Sequence, residues 1–125
     1  MKKLANLNML VVDDEVMIRE ILKDLFEYEG AKVFEASSGR KALDVLKDNQ
    51  IDVLLTDVRM PDGDGITLAK NIHDRYLKPP KVFFLTGYSD VNLDDVKKYG
   101  VVDILSKPME GETLIDRIVE GISHN

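Results

Sequence analysis

Short apolar runs alternate with longer amphipathic stretches along the chain, and two hydrophobic periods separate cleanly. Residues 10–12, 33–34, 53–55, 82–85 and 102–105 predict five buried strands. Three of these runs are nearly uninterrupted, as parallel strands covered on both faces should be. Between the first two, Ile18, Ile21, Leu22, Leu25 and Phe26 recur at three- and four-residue spacing and predict a helix over 15–29, with Gly30 as its stop. Ser38 is the expected N-cap of a second helix, with Ala42, Leu43 and Leu46 on one stripe and Asn49 at its end. A third helix starts near Asp64, presents Ile66, Ala69 and Ile72, and ends before Pro79-Pro80. A short fourth follows Asp90, with Asp94 and Asp95 early, Lys97 and Lys98 late and Gly100 as terminator, which suits the helix dipole at both ends. Leu114, Ile115, Ile118 and Ile122 mark the fifth. Five strands alternating with five helices give a doubly wound α/β sandwich around a parallel sheet, because right-handed crossovers place helices on both faces. Such sheets bind ligands at the C-terminal ends of their strands.

Composition narrows the function without changing the fold. The 125 residues suit one domain spanning 1–125, and 17 basic against 23 acidic side chains leave a net charge of −6. That acidic balance, with no basic run longer than two, argues against direct binding to a nucleic-acid backbone. The absence of cysteine excludes disulfides, thiolate nucleophiles and cysteine-held metals. The two histidines, His73 and His124, lie too far apart in sequence to suggest a zinc site, and His73 reads as structural. Lys2 and Lys3 precede an apolar run of only four residues that meets Asp13 and Asp14, so no signal peptide is expected. No run approaches the length of a spanning helix, and the expectation is a cytoplasmic protein without membrane insertion.

The strand ends carry the chemistry. The first strand ends in Asp13-Asp14, the third in Thr56-Asp57, the fourth in Thr86-Gly87, and the fifth runs into Ser106-Lys107-Pro108. Carboxylates gathered at one sheet edge repel one another, by about 4 kcal/mol for a pair at ~4 Å and an effective dielectric near 20. A hard divalent cation such as Mg²⁺ balances them naturally, since it takes one or two carboxylates and keeps waters or phosphate oxygens. Lys107 supplies a second balancing charge. A nucleophilic carboxylate, a metal shared with phosphoryl oxygens, a hydroxyl and an ammonium are what phosphoryl transfer to an aspartate needs. Asp57 is the expected nucleophile, standing alone after a long apolar strand, while the adjacent Asp13 and Asp14 suit a metal. The turn that follows, Met60-Pro61-Asp62-Gly63-Asp64-Gly65, lets the backbone fold closely over the site. Gly63 and Gly65 are better explained by that turn than by a dinucleotide fingerprint, and Met60 and Met109 read as packing residues.

From Val12-Asp13-Asp14-Glu15 to Lys107-Pro108, the chain resembles the receiver domains of two-component response regulators. The resemblance implies a flavodoxin-like sheet of order 2-1-3-4-5, with Asp57 accepting a phosphoryl group from a phosphohistidine of a sensor kinase or phosphotransfer protein. It implies Mg²⁺ or Mn²⁺ held by Asp13, Asp14, Asp57 and the carbonyl of Arg59. Thr86 would hydrogen-bond the bound phosphoryl, and Lys107 would pair with it. A cis peptide before Pro108, docking of the histidine protein through the first helix, and output through the fourth helix, fifth strand and fifth helix are further implications. So is a phosphorylation-dependent dimer.

Two positions depart from the pattern or lie where the family varies. Ile104 stands where the family carries an aromatic switch residue, so output is expected through another surface or through backbone shifts after Thr86, with Tyr88 or Tyr99 as substitutes. Arg59, near the route of an attacking water, is expected to tune the phosphoryl lifetime. The charged helix faces, including Arg19, Lys23, Arg40 and Lys47, read as solvated surface. Crowding of carboxylates predicts that Asp13→Asn raises the metal-free melting temperature. Two other functions compete with a phosphorylation-controlled interaction module. One is an aspartyl phosphatase or mutase, which the missing second carboxylate in Asp57-Val58-Arg59 and the lack of a cap domain disfavour; the other is a scaffold that is never phosphorylated. Both a stand-alone receiver and a piece of a longer regulator fit the chain.

Overall fold

Register sets the positions of the strand ends. The computed structural model describes residues 2–87 and 91–123, and its five strands are β1 (Asn8–Val12), β2 (Lys32–Ala36), β3 (Val53–Thr56), β4 (Lys81–Thr86) and β5 (Val101–Ser106). They form one parallel sheet in the order β2-β1-β3-β4-β5, as expected. Val12 pairs with Thr56, so the next residues, Asp13 and Asp57, leave the sheet side by side. Thr86 pairs with Ser106, which delivers Lys107 to the same edge.

Alternation along the strands divides the core into two layers. Leu10, Val12, Leu54, Val82 and Phe84 face one side, and Met9, Val11, Val53, Leu55, Phe83, Leu85 and Leu105 face the other. The first layer is covered by α2 (Gly39–Asp48), α3 (Gly65–Arg75) and α4 (Leu93–Val96) through Ala42, Leu46, Leu68, Ala69, Ile72 and Val96. The second is covered by α1 (Val16–Tyr28) and α5 (Gly111–Ser123) through Leu22, Phe26, Leu114, Ile115 and Ile118. Doubly wound topology thus follows from which face each strand residue presents.

Local signals behave largely as the residue types dictate. Ser38 and Asp64 cap α2 and α3, their side chains accepting from the amides of Lys41 and Thr67 at 3.2 and 2.7 Å. Gly30 and Gly100 close their helices at φ of 96° and 84°, the left-handed region that glycine enters without penalty. One expectation needs correction. Ile21 is 60% exposed and lies off the core stripe of α1. The fourth helix begins at Leu93, where the side chain of Asn92 accepts from the amide of Asp94, and tightens after one turn into a 3₁₀ segment over Lys97–Tyr99. Asp90, which this helix was expected to follow, lies outside the described residues, as do Tyr88 and His124.

β5 is irregular. Val82 pairs with Val101 but Phe83 pairs with Asp103, so Val102 is an extra residue that bulges the edge strand. Asp103 is gripped there by Arg117 of α5, whose Nε and Nη2 donate to one carboxylate oxygen at 2.9 and 2.7 Å.

Candidate functional site

Oxygens of Asp13, Asp14 and Asp57 lie within 4.8 Å of one another at the C-terminal edge of the sheet. Asp13 and Asp57 are buried and Asp14 is exposed. The amide of Asp57 donates to the carbonyl of Val12 at 2.9 Å, which continues the β1–β3 ladder one residue past the strand and locks the two carboxylates together. Each buried carboxylate is then oriented by a backbone amide. Asp13 Oδ1 accepts from the amide of Glu15 at 2.9 Å, and Asp57 Oδ1 accepts from the amide of Val58 at 2.7 Å.

Lys107 joins them. Its Nζ donates to Asp13 Oδ2 at 2.8 Å and to Asp57 Oδ2 at 2.9 Å. The loop carrying it is pinned by its own amide, which donates to the carbonyl of Thr86 at 2.9 Å, and the Lys107-Pro108 peptide is cis as expected. Burial lowers the lysine's proton affinity as the largest single influence, but hydrogen bonds and charge from Asp13 and Asp57 together raise its pKa above the ordinary 10.5. The ammonium is therefore a fixed positive charge at neutral pH. Three carboxylates against one ammonium leave −3 + 1 = −2. A cluster of hard oxygen donors with that residual charge fits Mg²⁺, which needs oxygen ligands and tolerates retained waters.

The loop after β3 closes over this edge. Gly65 donates its amide to the carbonyl of Val58 at 2.9 Å, and a Cβ at Gly65 would stand 2.3 Å from the carbonyl oxygen of Asp57. Only glycine permits that approach. Asp62, at φ 60°, is tied to α2 by Arg40 at 3.0 Å and by Ser38 at 3.3 Å. Arg59 is exposed on this loop and lines a cleft of about 300 Å³ with Asp64, Asn92 and Asp95. Thr86 is buried at the end of β4. Ile104 is half-buried and packs on the first core layer, as does Tyr99, whose ring meets His73 edge-on at 6.5 Å between centroids. Met60 and Met109 pack into the two layers, one each.

Arg19 was expected on solvated surface and is not there. Its side chain is 15% exposed, its Nη1 donates to the carbonyl of Asp13, and its Nε lies 3.5 Å from Glu35 of β2. The signal was present in the helix geometry, since side chains lean toward a helix's N-terminus and Arg19 is the fourth residue of α1. Arg40 is on the exposed surface as expected, where it pairs with Asp62.

A buried carboxylate paired with an ammonium and backed by two further carboxylates can accept an electrophilic phosphoryl group while the surrounding charges take up the new negative charge. Comparison with known proteins gives the family. The family model described as the response regulator receiver domain matches residues 9–119. Transcriptional regulatory protein ZraR of Escherichia coli strain K12 is 36% identical over 121 residues, which cover 95% of this chain and 27% of that protein. The chain thus spans about a quarter of the length of the first curated relatives it matches. Among solved structures, the receiver domain of the Francisella response regulator 1452 superimposes with a TM-score of 0.83 at 32% identity, covering 94% of this chain and 98% of that one. Response regulator TrrA of Thermotoga maritima, solved in complex with Mg²⁺-BeF, gives a TM-score of 0.81 at 29% identity, covering 91% and 97%. No helix among the described residues is long and apolar enough to cross a membrane. With its strand order, its carboxylate edge and its match over 9–119, the chain belongs to the response regulator receiver domain family, the signalling domains of two-component systems.

Proposed function

We propose that Asp57 is the phosphoacceptor of a cytoplasmic phosphorelay, charged by a phosphohistidine of a sensor kinase or phosphotransfer protein. The observation that carries this reading is the Lys107 bridge: one ammonium held 2.8 and 2.9 Å from carboxylates at the ends of two adjacent strands. A free Oδ lone pair of Asp57 attacks phosphorus, the phosphorus–nitrogen bond of the donor breaks, and the electron pair leaves with the imidazole. Asp13, Asp14, Asp57 and the carbonyl of Arg59 are the proposed ligands of Mg²⁺ or Mn²⁺, which when bound neutralises charge on the transferring oxygens. Lys107 exchanges its carboxylate partner for the phosphoryl group, and Thr86 donates its hydroxyl to the same group. That the similar TrrA was solved in complex with Mg²⁺-BeF supports a part for a divalent ion.

For the donor, α1 offers an apolar surface beside the site, where Val16, Met17 and Ile21 are 55%, 73% and 60% exposed. Output through α4, β5 and α5 is supported by the short α4 and by Ile104, half-buried between that face and the core. A phosphorylation-dependent dimer would use the same face, and no direct contact with nucleic acid is proposed. Intact mass after incubation with acetyl phosphate tests the chemistry. Wild type should gain one phosphoryl group only with Mg²⁺, and Asp57→Asn none. Failure to gain it from acetyl phosphate and from a phosphohistidine donor alike would leave a non-phosphorylated scaffold as the better reading.

A further inference from the structure

Asp13 is held at four points. Its amide donates to the carbonyl of Ala36 at 3.1 Å, its two carboxylate oxygens accept from the amide of Glu15 and from Lys107, and its carbonyl accepts from Arg19. The carbonyl contact differs in kind from the others. A peptide unit is planar, so holding the oxygen of residue 13 also fixes the nitrogen and Cα of residue 14. Asp14 is exposed, and its direction depends on that plane. Arg19 in turn is held by Glu35 at 3.5 Å, and Lys23 approaches the other oxygen of Glu35 at 3.7 Å. The guanidinium therefore joins β1, α1 and β2 behind the carboxylate edge.

We propose that Arg19 is a positioning residue for the metal-binding carboxylates, fixing the Asp13-Asp14 peptide so that both side chains converge on Asp57. The proposal rests on the phosphoacceptor reading above. Charge and position make opposite demands on this residue. As a bare positive charge near a cation site, Arg19 would weaken metal binding, and its removal would tighten it. As a positioning group, its removal would loosen the site, since partners that orient metal ligands are commonly worth about 10-fold or more in affinity. Glu35 offsets the charge and leaves the geometry. Lysine replaces this arrangement only in part, because a single ammonium lacks the planar fork that reaches a carbonyl from one nitrogen and a carboxylate from another.

The test is calorimetric titration of the full chain with MgCl₂ alone, without phosphodonor. Arg19→Ala should bind Mg²⁺ about 10-fold more weakly than wild type, with Arg19→Lys and Glu35→Gln in between. Thermal melts run alongside show whether each variant folds. Equal or tighter binding by folded Arg19→Ala overturns the proposal. If that variant does not fold, unchanged affinity in both Arg19→Lys and Glu35→Gln overturns it instead. A wild type that takes up no Mg²⁺ would remove the metal site and this inference together. A wild type that binds, with Asp57→Asn weakened and the Arg19 variants unaltered, would remove the inference alone.

Discussion

Asp13 and Asp14 are neighbours in sequence, yet their surroundings assign them different costs. Asp13 is buried and bound to Lys107 and to a backbone amide, whereas Asp14 is exposed. The expectation that Asp13→Asn relieves crowding is therefore outweighed: the substitution removes one of the two anions that Lys107 bridges. We expect Asp13→Asn to lose about 1 kcal/mol in the metal-free protein, the low end for removing one hydrogen-bond partner, because Lys107 keeps Asp57. Asp14→Asn should be neutral or slightly stabilising. Melting temperatures without metal decide between them, with a loss of about 4 °C for the first and none for the second. Strand-end residues were legible in the sequence because their type and order alone named a chemistry. Arg19 was not, because a charged residue on a helix is ordinarily solvated and only the lean of the side chain over the preceding loop shows otherwise.

Among the elements, α5 illustrates how a local preference yields to packing. Gly121 lies inside this helix, where alanine is favoured over glycine by about 1 kcal/mol. A Cβ there would stand 2.6 Å from the Phe83 ring and 2.9 Å from Val102, and Phe83 is fully buried with no room to yield. Gly121→Ala should accordingly destabilise by about 1–3 kcal/mol against its propensity, which a shift of the urea midpoint at unchanged slope would register. The same contrast explains what the sequence showed of the elements. Strands β3 and β4 were plain because both faces are covered and the runs are apolar throughout. β2 extends beyond Val33 and Phe34 to Lys32 and Ala36, since an edge strand accepts charged residues that no apolar pattern marks.

For the molecule as a whole, the Lys107 bridge gives stability a dependence on alkaline pH. The folded state raises the lysine's pKa, so its contribution is complete below the unfolded value of about 10.4 and is lost as pH rises through the higher folded value. Denaturation midpoints followed from pH 8 to 12 should fall more steeply for wild type than for Lys107→Met above about pH 10.4. Equal slopes would mean that the bridge does not bias the lysine's protonation. The global arrangement was readable in advance because alternating periods admit few topologies, and right-handed crossovers leave fewer still.

The bulge at Val102 bears on a different matter, the colloidal behaviour of the protein. A five-stranded open sheet exposes two unpaired rims, and a flat outer strand is a template on which a neighbouring chain can extend the ladder. One rim carries Lys32 and Glu35; the other is broken by an extra residue and by a carboxylate clamped from above by Arg117. Growth of the sheet from chain to chain is thereby discouraged at both ends. Copies of this domain can then meet through side chains at high concentration without polymerising through their backbones.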